Sequence, residues 1–218
     1  MATKRKDSTV SSADANRARI RAAALDLFST YGFEAVSTRQ IATAVSMELG
    51  HLTYYYSSKE ALWRELVAEK QAEFERNLDE AFSVASTKRT ARSRAAIILP
   101  RLLEHLANER RLARLIMQEF SMQSPRHDWV VATCAEPIWI RMKPLFESLK
   151  DEGVLDGVSP ATAYFSLVSA AVTLFAATEE IVRVSRFDIR EPRNIDEAIV
   201  YLLKPLLGKG IEKARLAP

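Results

Sequence analysis

The chain has 218 residues, of which 48% are hydrophobic and 27% charged, and its formal net charge is +3 at pH 7. This composition is that of a globular protein with one or two domains. It excludes an intrachain disulfide, because Cys134 is the single cysteine. No apolar run approaches the roughly 18 residues of a membrane span, and the N-terminus lacks the apolar centre of a signal peptide. We therefore expect a cytoplasmic protein without a membrane partner.

The net charge is concentrated near the N-terminus. Residues 1–64 contain nine Lys or Arg residues and six acidic residues, whereas residues 65–218 contain 22 of each and sum to zero. A basic segment is typical of a protein that binds nucleic acid, although a basic tail that only aids solubility is the alternative. Residues 1–12 are predicted to be this tail, disordered by composition.

The predicted elements are helices, and the first two have clear end signals. The first covers residues 13–31, and Gly32 follows it as a C-cap residue. Ser37 and Gln40 have the spacing of a capping box, so a second helix is predicted to begin at Thr38. Its apolar residues recur at helical spacing and form one face.

A third helix follows the second after a short break at residues 46–48. It begins at Leu49, and Leu52 and Tyr56 lie four residues apart on the face predicted to pack inward. Short helix, turn and short helix make the helix-turn-helix unit, whose second helix enters the DNA major groove.

These residues resemble the DNA-binding signature of the TetR family of bacterial helix-turn-helix transcription regulators. The resemblance covers residues 20–66 and is carried by Ile41-Ala42, the turn Ser46-Met47-Glu48, Tyr54-Tyr55-Tyr56 and Ser58-Lys59-Glu60-Ala61-Leu62. Two residues depart from the family pattern. Ser46 stands where the family has glycine, at a cost of about 1 kcal/mol if a left-handed turn is kept. Glu48 replaces a small N-cap residue and would repel phosphates.

The resemblance also implies which side chains meet DNA. Base-facing and nearby backbone-facing positions are Leu49, Gly50, His51 and Thr53, and phosphate-facing positions are Tyr54, Tyr55 and Lys59. Thr38 and Arg39 are expected at a phosphate as well, because a helix N-terminus offers free N–H groups. The alternative is a buried aromatic cluster with no role in DNA binding.

The rest of the chain continues the helical pattern. A fourth helix, opened by Ser57 and Glu60 as a capping box, is predicted from residue 58 to about residue 82. Further helices are predicted at 95–108, 112–123, 129–150, 160–184 and 194–208. Pro137 and Pro144 predict a kink or a break in the helix that contains them. The last helix is predicted to open with Asn194.

The predicted fold is therefore all-α, with about nine helices. A three-helix helix-turn-helix DNA-binding domain would cover residues 13–57, and a larger helical domain would cover residues 58–210. The resemblance assigns effector binding and dimerisation to the larger domain. The segment 160–184 is apolar on nearly all sides, which suits a helix that pairs with its copy across a two-fold axis.

The same larger domain is expected to contain a small-molecule pocket. In this family the pocket is formed by helices that here have large apolar residues and a few polar groups. The proposed lining is His105, Met117, Phe120, Trp139, Arg141 and Phe165. The alternative, which is the better one for most of these residues, is an ordinary hydrophobic core.

The function implied is that of a sequence-specific transcription regulator. The resemblance implies a homodimer on a near-palindromic double-stranded DNA operator, and a repressor that a small-molecule effector releases. No enzyme, cofactor or metal is expected, because the three histidines have no metal-ligand spacing with Cys134 and no glycine-rich phosphate loop occurs. Two alternatives are a non-specific architectural DNA binder without an effector and an all-helical enzyme that has retained this fold.

Overall fold

The computed structural model describes residues 12–208. Over that range the chain forms eleven α-helices and one π-helical segment and contains no strand, so the predicted all-α class is confirmed. The helices are α1 (Ser12–Tyr31), α2 (Thr38–Ala44), α3 (Leu49–Tyr55), α4 (Lys59–Ala85), α5 (Ala91–Asn108), α6 (Arg110–Ser121), α7 (His127–Val130), α8 (Glu136–Asp151), α9 (Pro160–Ala176), α10 (Thr178–Ser185) and α11 (Pro192–Leu207). The π-helical segment is Val131–Ala135, and the predicted tail lies outside the described residues except for its last residue.

The chain divides into two compact units, Met1–Val67 and Ala68–Pro218. The division falls inside α4, so this helix contributes residues to both units, whereas the sequence placed the domain boundary before α4. We call the two parts the N-terminal unit and the larger unit. The assignment of DNA binding to the first, and of effector binding and dimerisation to the second, stays a prediction at this point.

The N-terminal unit is built around aromatic and branched side chains from α1 to α4. Phe28 and Trp63 are completely buried, and the ring of Phe33 lies 5.5 Å and 6.2 Å from theirs. Ile41 of α2 and Leu52 of α3 are also fully buried. These contacts fix the two short helices, which are too short to be stable alone.

The ends of α2 follow the sequence signals. The amide of Ser37 donates to Gln40 Oε1 at 2.7 Å and the amide of Gln40 donates to Ser37 Oγ at 3.2 Å, which confirms the capping box. At the other end the amide of Met47 donates to the carbonyl of Ala42 and that of Ser46 to Thr43. This pair of bonds is the Schellman motif, and it places Ser46 at a left-handed φ of 52°.

The larger unit is a helical assembly with one main hydrophobic core. The second half of α4, together with α5, α8, α9 and α11, supplies its buried side chains, among them Leu99, Phe146, Phe175 and Leu203. Ser159 caps α9 as its sequence indicates, because Ser159 Oγ accepts from the amide of Thr162 at 3.0 Å.

Two predicted helices are each divided in the structure, which raises the count from about nine. Predicted helix 129–150 becomes α7, the π-helical segment and α8, and the change occurs just before Pro137. Predicted helix 160–184 is interrupted at Ala177, where α9 and α10 meet at a bend of 70°. Arg114 donates two hydrogen bonds to the carbonyl of Ala176 at 3.0 and 2.8 Å, so a side chain satisfies the backbone at the bend.

Two helix starts also differ from their predicted positions. Ser58, not Ser57, accepts a bond from the first turn of α4, since the amide of Ala61 donates to Ser58 Oγ at 3.0 Å. Helix α11 begins at Pro192, and the side-chain amide of Asn194 instead donates to the carbonyl of Asp188 at 2.7 Å. Across residues 12–208, no single helix has both the length and the apolar composition of a membrane span; the bent pair α9 and α10 reaches them only jointly.

Candidate functional site

Helix α3 has one buried face and one exposed face. Leu52 and Tyr56 point inward, with exposures of 0% and 3%, as their spacing predicts. The opposite face is formed by Leu49, Gly50, His51, Thr53 and Tyr54, all of which are exposed. Tyr54 is the most exposed of the large side chains in this helix, at 83%. A solvent-facing helix of this size can enter a DNA major groove.

The aromatic run that ends α3 is anchored rather than buried as a cluster. Tyr55 is half-buried, and its hydroxyl accepts from Asn16 Nδ2 of α1 at 3.1 Å. The Tyr54 ring stands edge-on to the Tyr55 ring with centroids 5.4 Å apart. The guanidinium of Arg17 lies over the rings of Tyr55 and Tyr56 at 5.8 and 5.3 Å. One tyrosine is thus held in place while its neighbour stays in solvent.

A polar network fixes the base of α3 against α1 and α4. The Tyr56 hydroxyl lies 3.1 Å from Glu65 Oε1 and 3.3 Å from Arg21 Nη1, and Arg21 and Glu65 form an ion pair at 3.0 Å. Burial raises the pKa of Tyr56, so this hydroxyl keeps its proton at physiological pH. Arg17 adds a second ion pair to Glu65 at 3.6 Å. Sequence spacing had indicated only that Tyr56 packs inward.

Lys59 was expected at a phosphate, and the structure shows what else it does. Its ammonium donates to the carbonyls of Phe33 and Val36, both at 2.8 Å, and lies 4.2 Å from the centre of the Phe33 ring. These contacts tie the start of α4 to the loop before α2. A phosphate contact stays a prediction, and it would use the remaining N–H of the ammonium.

The other predicted phosphate contacts lie at the N-terminus of α2. Arg39 is exposed and Thr38 is half-buried, immediately after the Ser37 cap. A second arginine stabilises the turn that follows α2, because Arg19 Nη2 donates to the carbonyl of Val45 at 2.9 Å. Residues 12–67 contain six basic and six acidic residues. Most of the net positive charge of the N-terminal segment therefore lies in residues 1–11, which are outside the described range.

The larger unit contains a partly open cavity of about 770 Å³. Its walls are mainly apolar and include the rings of Phe74, Phe120, Trp139, Tyr164 and Phe165. Trp139 lies 5.1 Å from Tyr164 and 5.4 Å from Phe165, centroid to centroid. Burial raises the pKa of Tyr164 to about 12, so its hydroxyl remains neutral. The volume lies in the range that holds a drug-sized ligand.

One end of the cavity is more polar. His105 is 9% exposed and its ring stacks on Phe74 at a centroid distance of 4.4 Å. Burial lowers the pKa of His105, so this imidazole is neutral at pH 7. Glu109 lines the same end and accepts a hydrogen bond from Lys70 Nζ at 2.7 Å.

Five of the six predicted pocket residues line this cavity: His105, Met117, Phe120, Trp139 and Phe165. The sixth, Arg141, does not. It forms an ion pair with Asp79 at 2.6 Å and lies 4.5 Å above the Phe82 ring, beside a separate small pocket. Both Arg141 and Trp139 lie on α8, but their positions on the helix direct them to different neighbours.

Sequence reasoning missed the π-helical segment as part of the wall. Val131, Cys134 and Ala135 from this segment line the cavity. Burial raises the pKa of the Cys134 thiol to about 12, so this side chain acts as a small apolar group in the wall. π-Helical segments often occur at functional sites. The sequence signal for this one is Pro137, two residues after its end.

Comparison with known proteins shows which family the N-terminal unit resembles. Residues 20–66 match the family model described as "Bacterial regulatory proteins, tetR family". This match confirms the resemblance of these residues to the TetR family. Members of this family are non-enzymatic transcription factors, in line with the sequence-based expectation for this chain.

A curated relative from Bacillus subtilis (strain 168), "Probable HTH-type transcriptional regulator YttP", is 27% identical over 135 residues. The match covers 62% of this chain and 63% of the relative, so the chain spans less than two thirds of the relative's length.

Solved structures extend the likeness in fold to the larger unit. A tetR-family regulatory protein from Rhodococcus RHA1 has a TM-score of 0.63 at 21% identity, covering 90% of this chain and 98% of that one. The regulator FadR from Bacillus subtilis in complex with stearoyl-CoA has a TM-score of 0.63 at 15% identity, covering 88% and 98%. At these identities the likeness shows a shared fold.

Proposed function

We propose that the chain is a sequence-specific DNA-binding transcription regulator, a cytoplasmic repressor that a small molecule releases from its operator. The observation that carries this proposal is the exposed face of α3, held by buried Leu52 and Tyr56 in a domain that matches the TetR family. Thr53 and Leu49 on that face would contact base edges, because a threonine hydroxyl donates or accepts and an apolar side chain meets a thymine methyl.

Phosphate contacts would surround this base-reading face. Tyr54 projects from α3 with 83% of its surface exposed, and Arg39 is exposed near the start of α2. Contacts of this kind set the position and orientation of the protein on DNA but give little sequence information. His51 and Gly50 lie between the two groups, and Gly50 has open space where a side chain would begin. DNA can therefore approach the backbone closely there.

A homodimer on a near-palindromic operator is part of the same proposal. Each chain has one helix-turn-helix, so two copies would place two recognition helices about one DNA turn, ~34–36 Å, apart. The larger unit supplies candidate contact residues, since Val184 is 86%, Tyr201 76% and Phe165 47% exposed. Exposed side chains of this size are enriched where proteins associate.

The cavity of about 770 Å³ supports a small-molecule effector. The FadR structure, which has a related fold, is in complex with stearoyl-CoA, so a protein of this fold can bind a ligand with a long apolar part. An effector that binds one conformation better than another shifts the balance between them. By linkage, effector and DNA then weaken each other's binding by the same factor, with a coupling of typically ~1–3 kcal/mol.

Selection from a random duplex DNA pool tests the proposal, followed by fluorescence anisotropy on the selected duplex. We expect a near-palindromic sequence that binds at least about 10³-fold tighter than unrelated DNA. Thr53→Ala should change the preferred sequence, whereas Thr30→Ala, an exposed threonine on α1, should not. Equal affinity for all duplexes would contradict the proposal and favour the non-specific architectural binder.

A further inference from the structure

The cavity of the larger unit has a charge character that selects among ligand classes. Of the lining residues within 12–208, two are acidic, Glu109 and Glu136, and none is lysine or arginine. The two histidines at the wall are His105, which is buried and stacked on an aromatic ring, and His127, whose Nδ1 lies 3.2 Å from Asp128. A ligand therefore meets carboxylates, imidazoles and apolar walls, without an opposing basic side chain.

The two carboxylates differ in what they already bind. Glu109 forms an ion pair with Lys70 at 2.7 Å, so its charge is largely compensated. Glu136 is the first residue of α8 and is exposed where it lines the cavity. Among the described residues its side chain has no hydrogen-bond or ion-pair partner. It is the negative charge at this wall that is available to a ligand.

Aromatic rings beside Glu136 favour the same sign of ligand charge. Trp139 follows Glu136 by about one helical turn and packs against Phe165 and Tyr164. The faces of indole and phenyl rings carry negative potential and attract cations. An anion at this place would meet both the ring faces and the carboxylate, with no basic side chain in the lining to compensate.

We propose that the ligand of this cavity is a lipophilic cation, an apolar or aromatic molecule with one positive charge that Glu136 neutralises and the ring of Trp139 contacts. The inference rests on the proposed function, which makes this cavity the effector site. Transfer of a charge from water to an apolar site is costly unless a counter-charge is present, and Glu136 supplies it. The chain would then differ in ligand class from FadR, whose structure holds the anionic stearoyl-CoA.

Isothermal titration of the full chain with probes of matched shape tests this inference. Tetraphenylphosphonium and tetraphenylborate have nearly the same size and opposite charge, triphenylphosphine oxide is a neutral relative, and stearoyl-CoA is a biological anion. We expect the phosphonium to bind at least about tenfold tighter than the borate, as one charge contact of ordinary strength would produce. The phosphonium should also lower the affinity for the selected operator.

Glu136→Gln separates the charge from the shape of the wall. It should weaken phosphonium binding about tenfold and change phosphine oxide binding less than about twofold. The matched control is Glu147→Gln on the same helix, an exposed residue 3.7 Å from Lys143 and away from the cavity lining, which should change neither. Equal weakening of both probes would mean that Glu136 acts through structure and would overturn its assigned role.

The possible failures are distinguishable. If the borate or stearoyl-CoA binds more tightly than the phosphonium and still lowers operator affinity, the charge inference is overturned and the proposed effector site stands. If the four probes all fail to bind, the charge inference is overturned, while the DNA-binding part of the proposal is judged by the selection experiment.

Discussion

The two units of the chain differ in how completely they fill their interiors. In the N-terminal unit, Trp63 and Phe28 are fully buried, and the polar side chains at the base of α3 have defined partners. In the larger unit, a cavity of about 770 Å³ lies beside the core, with Trp139 only partly buried at its wall. A surface that reads DNA needs a rigid support, whereas a ligand site needs space.

The largest expected effect comes from replacing one tryptophan by alanine in each unit. Trp63→Ala should lower the free energy of unfolding by about 3–5 kcal/mol, because it leaves a void in a filled core. Trp139→Ala should cost about 1–2 kcal/mol, because that side chain already borders open space and buries less area. Urea unfolding followed by far-UV circular dichroism measures both. Equal losses would contradict the contrast between a filled and an open interior.

Lys59→Met tests whether the polar contacts of the N-terminal unit support its fold. The change leaves the carbonyls of Phe33 and Val36 without their charged donor, at a cost of about 1–3 kcal/mol. Arg64→Met on the same helix is the control. Arg64 forms a surface ion pair with Glu60 at 2.7 Å, which is worth about 0.3–0.5 kcal/mol. If Lys59→Met lowers the free energy of unfolding no more than Arg64→Met, the two hydrogen bonds of Lys59 contribute little to stability.

Arg39→Ala tests the predicted phosphate contact without disturbing the fold. The slope of log affinity against log salt should become shallower by about 0.9, the effect of one released counterion, while thermal stability stays unchanged. Arg193→Ala, an exposed arginine on α11, should leave the slope as it is. Lys59→Met belongs in the same titration, since an unaltered slope there would mean that Lys59 serves the fold and not DNA.

The smallest effect concerns the turn between α2 and α3. Ser46 has a φ of 52°, a conformation that glycine adopts at little cost. Ser46→Gly should stabilise the N-terminal unit by up to about 1 kcal/mol, whereas Ser46→Ala should give no gain. Arg186, which caps α10 at a φ of 62°, offers the equivalent change in the larger unit. Thermal unfolding of the two glycine variants compares the units directly, and destabilisation by Ser46→Gly would contradict the assigned strain.

Local sequence signals predicted the start of α2 correctly, whereas the cap signals at Ser57 and Asn194 did not match the starts of α4 and α11. The capping box was identified because its hydrogen bonds join Ser37 and Gln40, which are close in sequence. The bend at Ala177 was not predictable, since the bonds that satisfy it come from Arg114, which is distant in sequence. The role of Lys59 was missed for a similar reason, because its carbonyl partners belong to another segment of the chain.

The two candidate sites also differ in whether they depend on residues that are close in sequence or on distant segments. The exposed face of α3 follows from helical periodicity once Leu52 is placed inward. The cavity depends on how helices pack, so composition indicated His105 and Phe165 but also Arg141, which lies elsewhere. Glu136 carried no sequence signal, because its place in the cavity lining depends on how the helices pack.

Hydrogen–deuterium exchange with and without the selected operator tests the central claim most directly, namely that the exposed face of α3 contacts DNA. We predict slower exchange on DNA binding for amides in residues 49–55 and at the N-terminus of α2. A change in the exchange rates of amides at the cavity is not required for this result, since the DNA contact itself protects the amides of α2 and α3. Protection that is absent from α3, or that is confined to the larger unit while DNA is bound, would contradict the account.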